Sequence, residues 1–122
     1  NRAVLYHRWP RLCEEFALTR GDGRYARTLK SLGRTELLIL DDFGLEPLDT
    51  AARHDLLEIL EERYGRRSTI ITSQLPIPSW HVVIGDPTYA DAIMDRFIHN
   101  AHRIELTGES MRRTKTKQPK SA

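Results

Sequence analysis

The apolar positions of the chain fall into short solid runs separated by stretches with helical spacing. Ala3-Val4-Leu5-Tyr6-His7 and Ser68-Thr69-Ile70-Ile71-Thr72-Ser73-Gln74 are compact and rich in β-branched or aromatic residues, and Leu37-Leu38-Ile39-Leu40 is a run of large aliphatics. Each reads as a strand. Between them the apolar residues recur every three or four positions. Leu12, Phe16 and Ala17 define a helix opened by Pro10 and broken at Gly21-Asp22-Gly23, and Tyr25, Leu29 and Leu32 define a second, capped by Asp22 and ended by Gly33. Leu56, Leu57, Leu60 and Tyr64 define a third, capped by Asp49 or Thr50 and stopped by Gly65. Pro76 and Pro78 make the next stretch an extended loop. Asp86 as cap and Pro87 in the first turn then open the clearest helix, with Ala90, Ile93, Met94, Phe97 and Ile98 on one face, and His102–Leu106 alternates as a last strand. Strands alternating with helices predict an α/β domain with a parallel sheet.

The Leu37–Leu40 run, unbroken by polar residues, predicts a central strand buried on both faces, with helices on either side. It runs straight into Asp41-Asp42-Phe43-Gly44. Ligands of open α/β sheets lie beyond the carboxyl ends of the strands, and two adjacent carboxylates there suit a cation. The pattern matches a Walker B element, whose first acid holds Mg²⁺ and whose second orients or deprotonates the attacking water. A strand-ending Asp that caps a turn, beside a solvated second Asp, accounts for the same residues. The polar tip of the Ser68–Gln74 strand suits a sensor of the γ-phosphate, or equally a Ser/Thr/Gln turn. Gly21-Asp22-Gly23 lacks the preceding strand and the Lys of a phosphate cradle and reads as a turn. Arg96, at the border of an apolar stripe, can lean over buried carbon with its fork outward; an ion pair with Asp91 or Asp95 is its ordinary account. None of the five histidines forms a metal pair on a helix with a carboxylate at the right spacing, and His99 with His102 straddles a helix-to-strand junction, so ordinary histidines are expected.

At 122 residues the chain has the size of one domain. The single Cys13 excludes an intramolecular disulfide and a Cys-based zinc site. With no apolar run of membrane-spanning length and no signal peptide, the expected compartment is the cytoplasm. The net charge of +2 conceals an asymmetry: from Arg112 onward Arg112, Arg113, Lys115, Lys117 and Lys120 meet no acid, and the remainder carries an excess of acids. Residues 1–111 are therefore read as the domain and 112–122 as a basic, disordered tail, either suited to a polyanion or simply solvated.

The motifs L-L-I-L-D-D-F-G-L-E-P-L, S-T-I-I-T-S-Q-L-P, W-H-V-V-I-G-D-P-T, A-D-A-I-M-D-R-F-I-H-N-A-H-R-I-E-L and G-E-S-M-R-R occur in this order. Together they resemble the IstB-type transposase helper ATPases, relatives of the helicase loader DnaC within the AAA+ class. The resemblance implies a P-loop NTPase fold, an AAA+-like parallel sheet flanked by helices with strand order 5-1-4-3-2. It implies ATP and Mg²⁺ as cofactors, and DNA, a transposase and further copies of the chain as partners, with no membrane. It also implies that Asp41 is the metal acid and Asp42 stands where many relatives have a catalytic Glu. Gln74 falls at the sensor-1 position, usually Asn. Arg96 resembles an arginine finger offered to a neighbouring subunit, and Arg112 a sensor-2 arginine.

One part of the pattern is absent. No G-x-x-x-x-G-K-[ST] occurs, and none of the seven glycines precedes a Lys. The chain thus resembles the C-terminal portion of such a protein, supplying strands 2 to 5 without the central first strand, so that a slot is expected between its last two strands. Alone it is expected not to hydrolyse ATP. The function so implied is that of a domain fragment of a helper that assembles on DNA with ATP and delivers target DNA to a transposase. The alternative is a non-hydrolysing module that binds DNA or a partner.

Overall fold

The computed structural model describes residues 3–65, 67–100 and 102–105. In chain order the elements are β1 (Val4–Arg8), α1 (Trp9–Asp22), α2 (Tyr25–Arg34), β2 (Leu37–Phe43), α3 (Thr50–Arg63), β3 (Ser68–Ser73), a 3₁₀ turn (Ile77–Ser79), α4 (Trp80–Ile84), α5 (Pro87–Asn100) and β4 (His102–Glu105). The strands form one parallel sheet in the order β1-β2-β3-β4.

That order decides which face is covered. Crossovers between parallel strands are right-handed, so a sheet whose order never reverses receives every connecting helix on the same side. Leu38, Leu40, Phe43, Thr69, Ile71 and Ser73 accordingly point into the core with Leu12, Phe16, Leu56, Ile59, Ile93 and Phe97. The other face is open. Leu37, Ile39, Ile70 and Thr72 are only partly buried, and Val4 and Tyr6 are 58% and 56% exposed. The expectation of helices on both faces is thus corrected. The slot between the last two strands is absent as well, since β4 pairs directly with β3, Ile70 opposite His102 through Ser73 opposite Glu105. Unpaired strand-edge amides and carbonyls are costly, and direct pairing satisfies them.

Local chemistry explains the helix ends. Asp49 caps α3, its carboxylate accepting from the Ala52 amide at 2.8 Å, and Asp86 caps α5 by accepting from Tyr89 at 3.0 Å. α1 continues through Gly21 and stops at Gly23, whose φ of 82° suits glycine. Asp22 is not the cap of α2; its side chain binds the amide and guanidinium of Arg24. The loop expected after Pro76 is instead the 3₁₀ turn and α4. Trp80 draws it inward, packing 4.7 Å from Phe43 and 5.5 Å from Phe97 between ring centroids and donating its indole N–H to the Leu75 carbonyl at 3.1 Å. Ala17, Tyr64 and Ile98, expected to face inward, are exposed at the margins of their stripes.

Among the described residues, two charged side chains, Asp55 and Arg63, are buried in the helical layer. Asp55 accepts from Arg20 and, at 3.0 Å, from the Tyr25 hydroxyl, tying α3 to α1 and α2. Arg63, fully buried, donates to the carbonyls of Leu32 at 2.6 Å, Thr35 at 2.7 Å, Glu36 at 3.3 Å and Ser68, and to the Thr69 hydroxyl at 2.7 Å. It joins the end of α3 to the starts of β2 and β3.

Candidate functional site

Asp41 and Asp42 sit at the carboxyl end of β2 on a β-bulge. Leu40 is opposite Ile71 and Phe43 is opposite Ser73, so β2 carries one residue more than β3 over this interval. The bulge has a clear sequence cause. Strict alternation would put Asp42 on the buried face with Leu38 and Leu40; the extra residue keeps the carboxylate out of the core and returns Phe43 to it, against Trp9 and Trp80. Asp42 takes φ = 63°, the one positive φ among described non-glycine residues, and Gly44 follows at 92°. Asp is among the residue types that enter this region more readily.

Each acid is held from a neighbouring strand. Asp41 accepts from the Thr72 hydroxyl of β3 through Oδ1 and from the Tyr6 hydroxyl of β1 through Oδ2. Asp42 pairs with Arg8 of β1, Oδ2 lying 2.8 Å from Nε and 2.7 Å from a terminal nitrogen. The Asp42 amide donates to the Thr72 hydroxyl oxygen at 3.2 Å. Thr72 first, and then Tyr6, hold the Asp41 carboxyl below its ordinary 3.8. The sign follows from that direction. The lowered value adds stability in full above pH 3.8, and this contribution is lost as pH falls through the lower folded value. Carboxyl-carbon NMR of the full-length protein is therefore expected to place Asp41 below 3.8, and to move it upward in Thr72→Val. An Asp41 titration identical in the two proteins would dismiss the hydroxyl as its cause.

The remaining candidates are spread more widely. Gln74 is exposed immediately after β3, at the same sheet edge as the acids, with none of the described residues hydrogen-bonded to its side chain. Arg96 is elsewhere: its guanidinium meets Glu61 Oε2 at 3.0 and 3.2 Å and Asp95 Oδ2 at 3.2 Å, on the helical side of the sheet. The expected partner Asp95 is thus present, and Glu61 of α3 joins it. Arg112 and the tail lie outside the described residues. Sequence reasoning missed Tyr6 and Arg8 and reached Thr72 only as part of the polar tip of its strand, for the facing of strands is set by register across the sheet. For Tyr6 and Arg8 the available signal was their alternation on one side of β1.

A parallel sheet with helical crossovers defines the class: an α/β fold, which the comparisons make AAA+-like. Solved structures match it. The chain superposes on the crystal structure of DnaI with a TM-score of 0.69, over 88% of this chain and 58% of that one at 22% identity. For the DnaC helicase loader the TM-score is 0.64, over 85% and 61% at 16% identity. At these identities the likeness is one of fold. The family follows from sequence: residues 2–119 match the family described as IstB-like ATP binding protein, and the chain belongs to it. It is 68% identical over 118 residues, 97% of its length, to a putative insertion sequence ATP-binding protein of Sinorhizobium fredii, and 54% identical over 74 residues, 61% of its length, to the putative ATP-binding protein of insertion sequence IS1162 from Pseudomonas fluorescens. It covers 48% and 32% of those two proteins, respectively. The chain spans about half the length of the Sinorhizobium relatives it matches.

Proposed function

We propose that this chain carries the acidic part of the ATP site of an insertion-sequence helper ATPase, which assembles with its own copies on DNA and passes target DNA to a transposase. The bulge that sets two carboxylates side by side at a sheet edge, one of them clamped by hydroxyls, is the observation that carries the reading. Mg²⁺ fits this donor set. It binds through one or two carboxylates together with phosphate oxygens and water, and Asp41 oxygens that each accept one hydroxyl keep further lone pairs. Asp41 would hold the ion, which when bound neutralises charge on the transferring phosphoryl group.

The chain's own side chains account for the rest. Asp42, turned out of the core, orients and deprotonates the attacking water; Gln74, free at the same edge, reaches toward the γ-phosphate; Arg96 serves a neighbouring subunit; Arg112 is assigned to the phosphates of its own subunit by resemblance. A phosphate cradle is needed besides, and this sequence contains no G-x-x-x-x-G-K-[ST]. The test is Asp42→Asn in the full-length protein. ATP binding should stay within about 3-fold, because an acid that only activates water adds little ground-state affinity. Hydrolysis should fall by at least about 10²-fold. Equal losses of binding and hydrolysis would refute the assignment.

A further inference from the structure

We propose that Thr72 is the positioning residue of the acidic pair, with Tyr6 as its counterpart from the opposite strand. The inference rests on the ATPase reading and adds to it two hydroxyls, that of Tyr6 and that of Thr72 within the S-T-I-I-T-S-Q-L-P stretch, to which the resemblance gave no role. Its warrant is the use Thr72 makes of its hydroxyl. The single O–H donates to Asp41 Oδ1, and the oxygen accepts the Asp42 amide at 3.2 Å, so one atom sets both the first carboxylate and the backbone turn that aims the second. That turn has φ = 63°, a conformation that needs support from outside the residue itself. Thr72 is well placed to give it. It lies on β3, bonded to strands on both sides, and its branched β-carbon restricts the side-chain torsion. Tyr6 closes the clamp by donating to Oδ2, so that a hydroxyl from each flanking strand holds one oxygen of the same carboxylate.

The neighbouring hydroxyl provides the contrast. Ser73 donates to the Phe43 carbonyl at 2.6 Å and accepts from the Leu75 amide at 3.0 Å, contacts that build the loop and touch neither acid. Removing the Ser73 hydroxyl therefore reports damage to the fold at this edge, whereas removing that of Thr72 reports loss of aim.

The experiment compares full-length wild type with Thr72→Val, Thr72→Ser, Tyr6→Phe and Ser73→Ala. It reads kcat, KM for ATP, thermal melting, and Mn²⁺ affinity by electron paramagnetic resonance in the presence of a non-hydrolysable ATP analogue. Groups that orient a metal ligand cost about 10-fold or more in metal affinity or rate when removed. Thr72→Val should lower kcat and Mn²⁺ affinity each by about 10-fold with KM within about 3-fold, Thr72→Ser should recover most of both, and Tyr6→Phe should weaken Mn²⁺ binding without lowering the melting temperature. Ser73→Ala should lower the melting temperature while Mn²⁺ affinity holds. Wild-type kcat and Mn²⁺ affinity in Thr72→Val, or a Thr72→Ser protein as impaired as Thr72→Val, would overturn the inference alone. If Thr72→Val does not fold, Tyr6→Phe decides, and unchanged Mn²⁺ affinity there overturns the clamp. A wild type that neither hydrolyses ATP nor binds Mn²⁺ with the analogue would instead overturn the ATPase reading, and this inference with it.

Discussion

Arg96→Ala is expected to lower ATP turnover of the assembled full-length protein by about 10³-fold, the range seen when a guanidinium is withdrawn from a transferring phosphoryl group. Stability should scarcely change. Arg96 spans Glu61 and Asp95 with its side chain 32% exposed, and partly exposed pairs of this kind contribute a few tenths of a kcal/mol to about 1 kcal/mol. Geometry argues against service in its own site. α3 returns the chain from the end of β2 to the start of β3, so Glu61 in its last turn marks the edge where strands begin, whereas Asp41 and Asp42 stand where β2 ends. The sheet also intervenes, with Arg96 among the helices and Tyr6 meeting Asp41 from the open face. If Arg96 acts on ATP as proposed, the nucleotide is therefore a neighbouring subunit's. Mixing Arg96→Ala subunits with Asp42→Asn subunits, each inactive alone, should restore activity where an intact Asp42 meets an intact Arg96. If both parents assemble and mix but every ratio stays inactive, Arg96 acts in its own subunit or only in the fold.

The largest loss of stability is expected at Arg63. Arg63→Met keeps much of the buried stem but takes the guanidinium donors from the carbonyls of Leu32, Thr35 and Ser68 and from the Thr69 hydroxyl, while the Glu36 carbonyl keeps the Ser68 amide at 3.3 Å. Each buried acceptor left without a donor costs about 1–3 kcal/mol, so a total of about 3 kcal/mol or more is expected after partial relaxation. Burial, with Arg67 adding a smaller repulsion, draws the guanidinium down to about 10, and it stays charged at neutral pH. A Lys cannot replace it, because a point charge lacks the planar fork that reaches several carbonyls at once. Urea unfolding of Arg63→Met and Arg63→Lys provides the check. Unfolding free energies within about 1 kcal/mol of wild type would mean that water, not the side chain, satisfies those carbonyls.

Arg63 also marks the limit of what local pattern reveals. Leu56, Leu57 and Leu60 disclosed α3, and the same helical spacing carries Asp55 and Arg63 toward the core. A charged residue read alone looks like surface; its burial depends on partners in α1, α2 and the strand starts, which only the assembled fold supplies. The strands were legible because Leu37–Leu40 and Ser68–Ser73 leave no helical alternative. Their neighbours were not, and the run of aliphatics in β2 suggested two covered faces although its alternate residues meet different surroundings. Asp41 and Asp42 were recognisable from strand-then-acid order. The bulge was not, since it arises from the conflict between β2 parity and the need to return Phe43 to the aromatic row, and Thr72 comes beside Asp41 through the register that pairs Leu40 with Ile71, which no local pattern reveals.

The constant sense of the sheet has a consequence for ligand binding. Open α/β sheets form their binding crevice at a switch point, where successive connections depart to opposite faces and leave two loops diverging. Here β1, β2, β3 and β4 follow one another and their connections all leave toward one layer, so these four strands contain no switch point. Asp41 and Asp42 consequently offer a ligand one wall rather than a cleft. Affinity for a nucleotide would depend on whatever is brought against the open face beside Tyr6, and the acids would then contribute selectivity for charge and geometry more than retention.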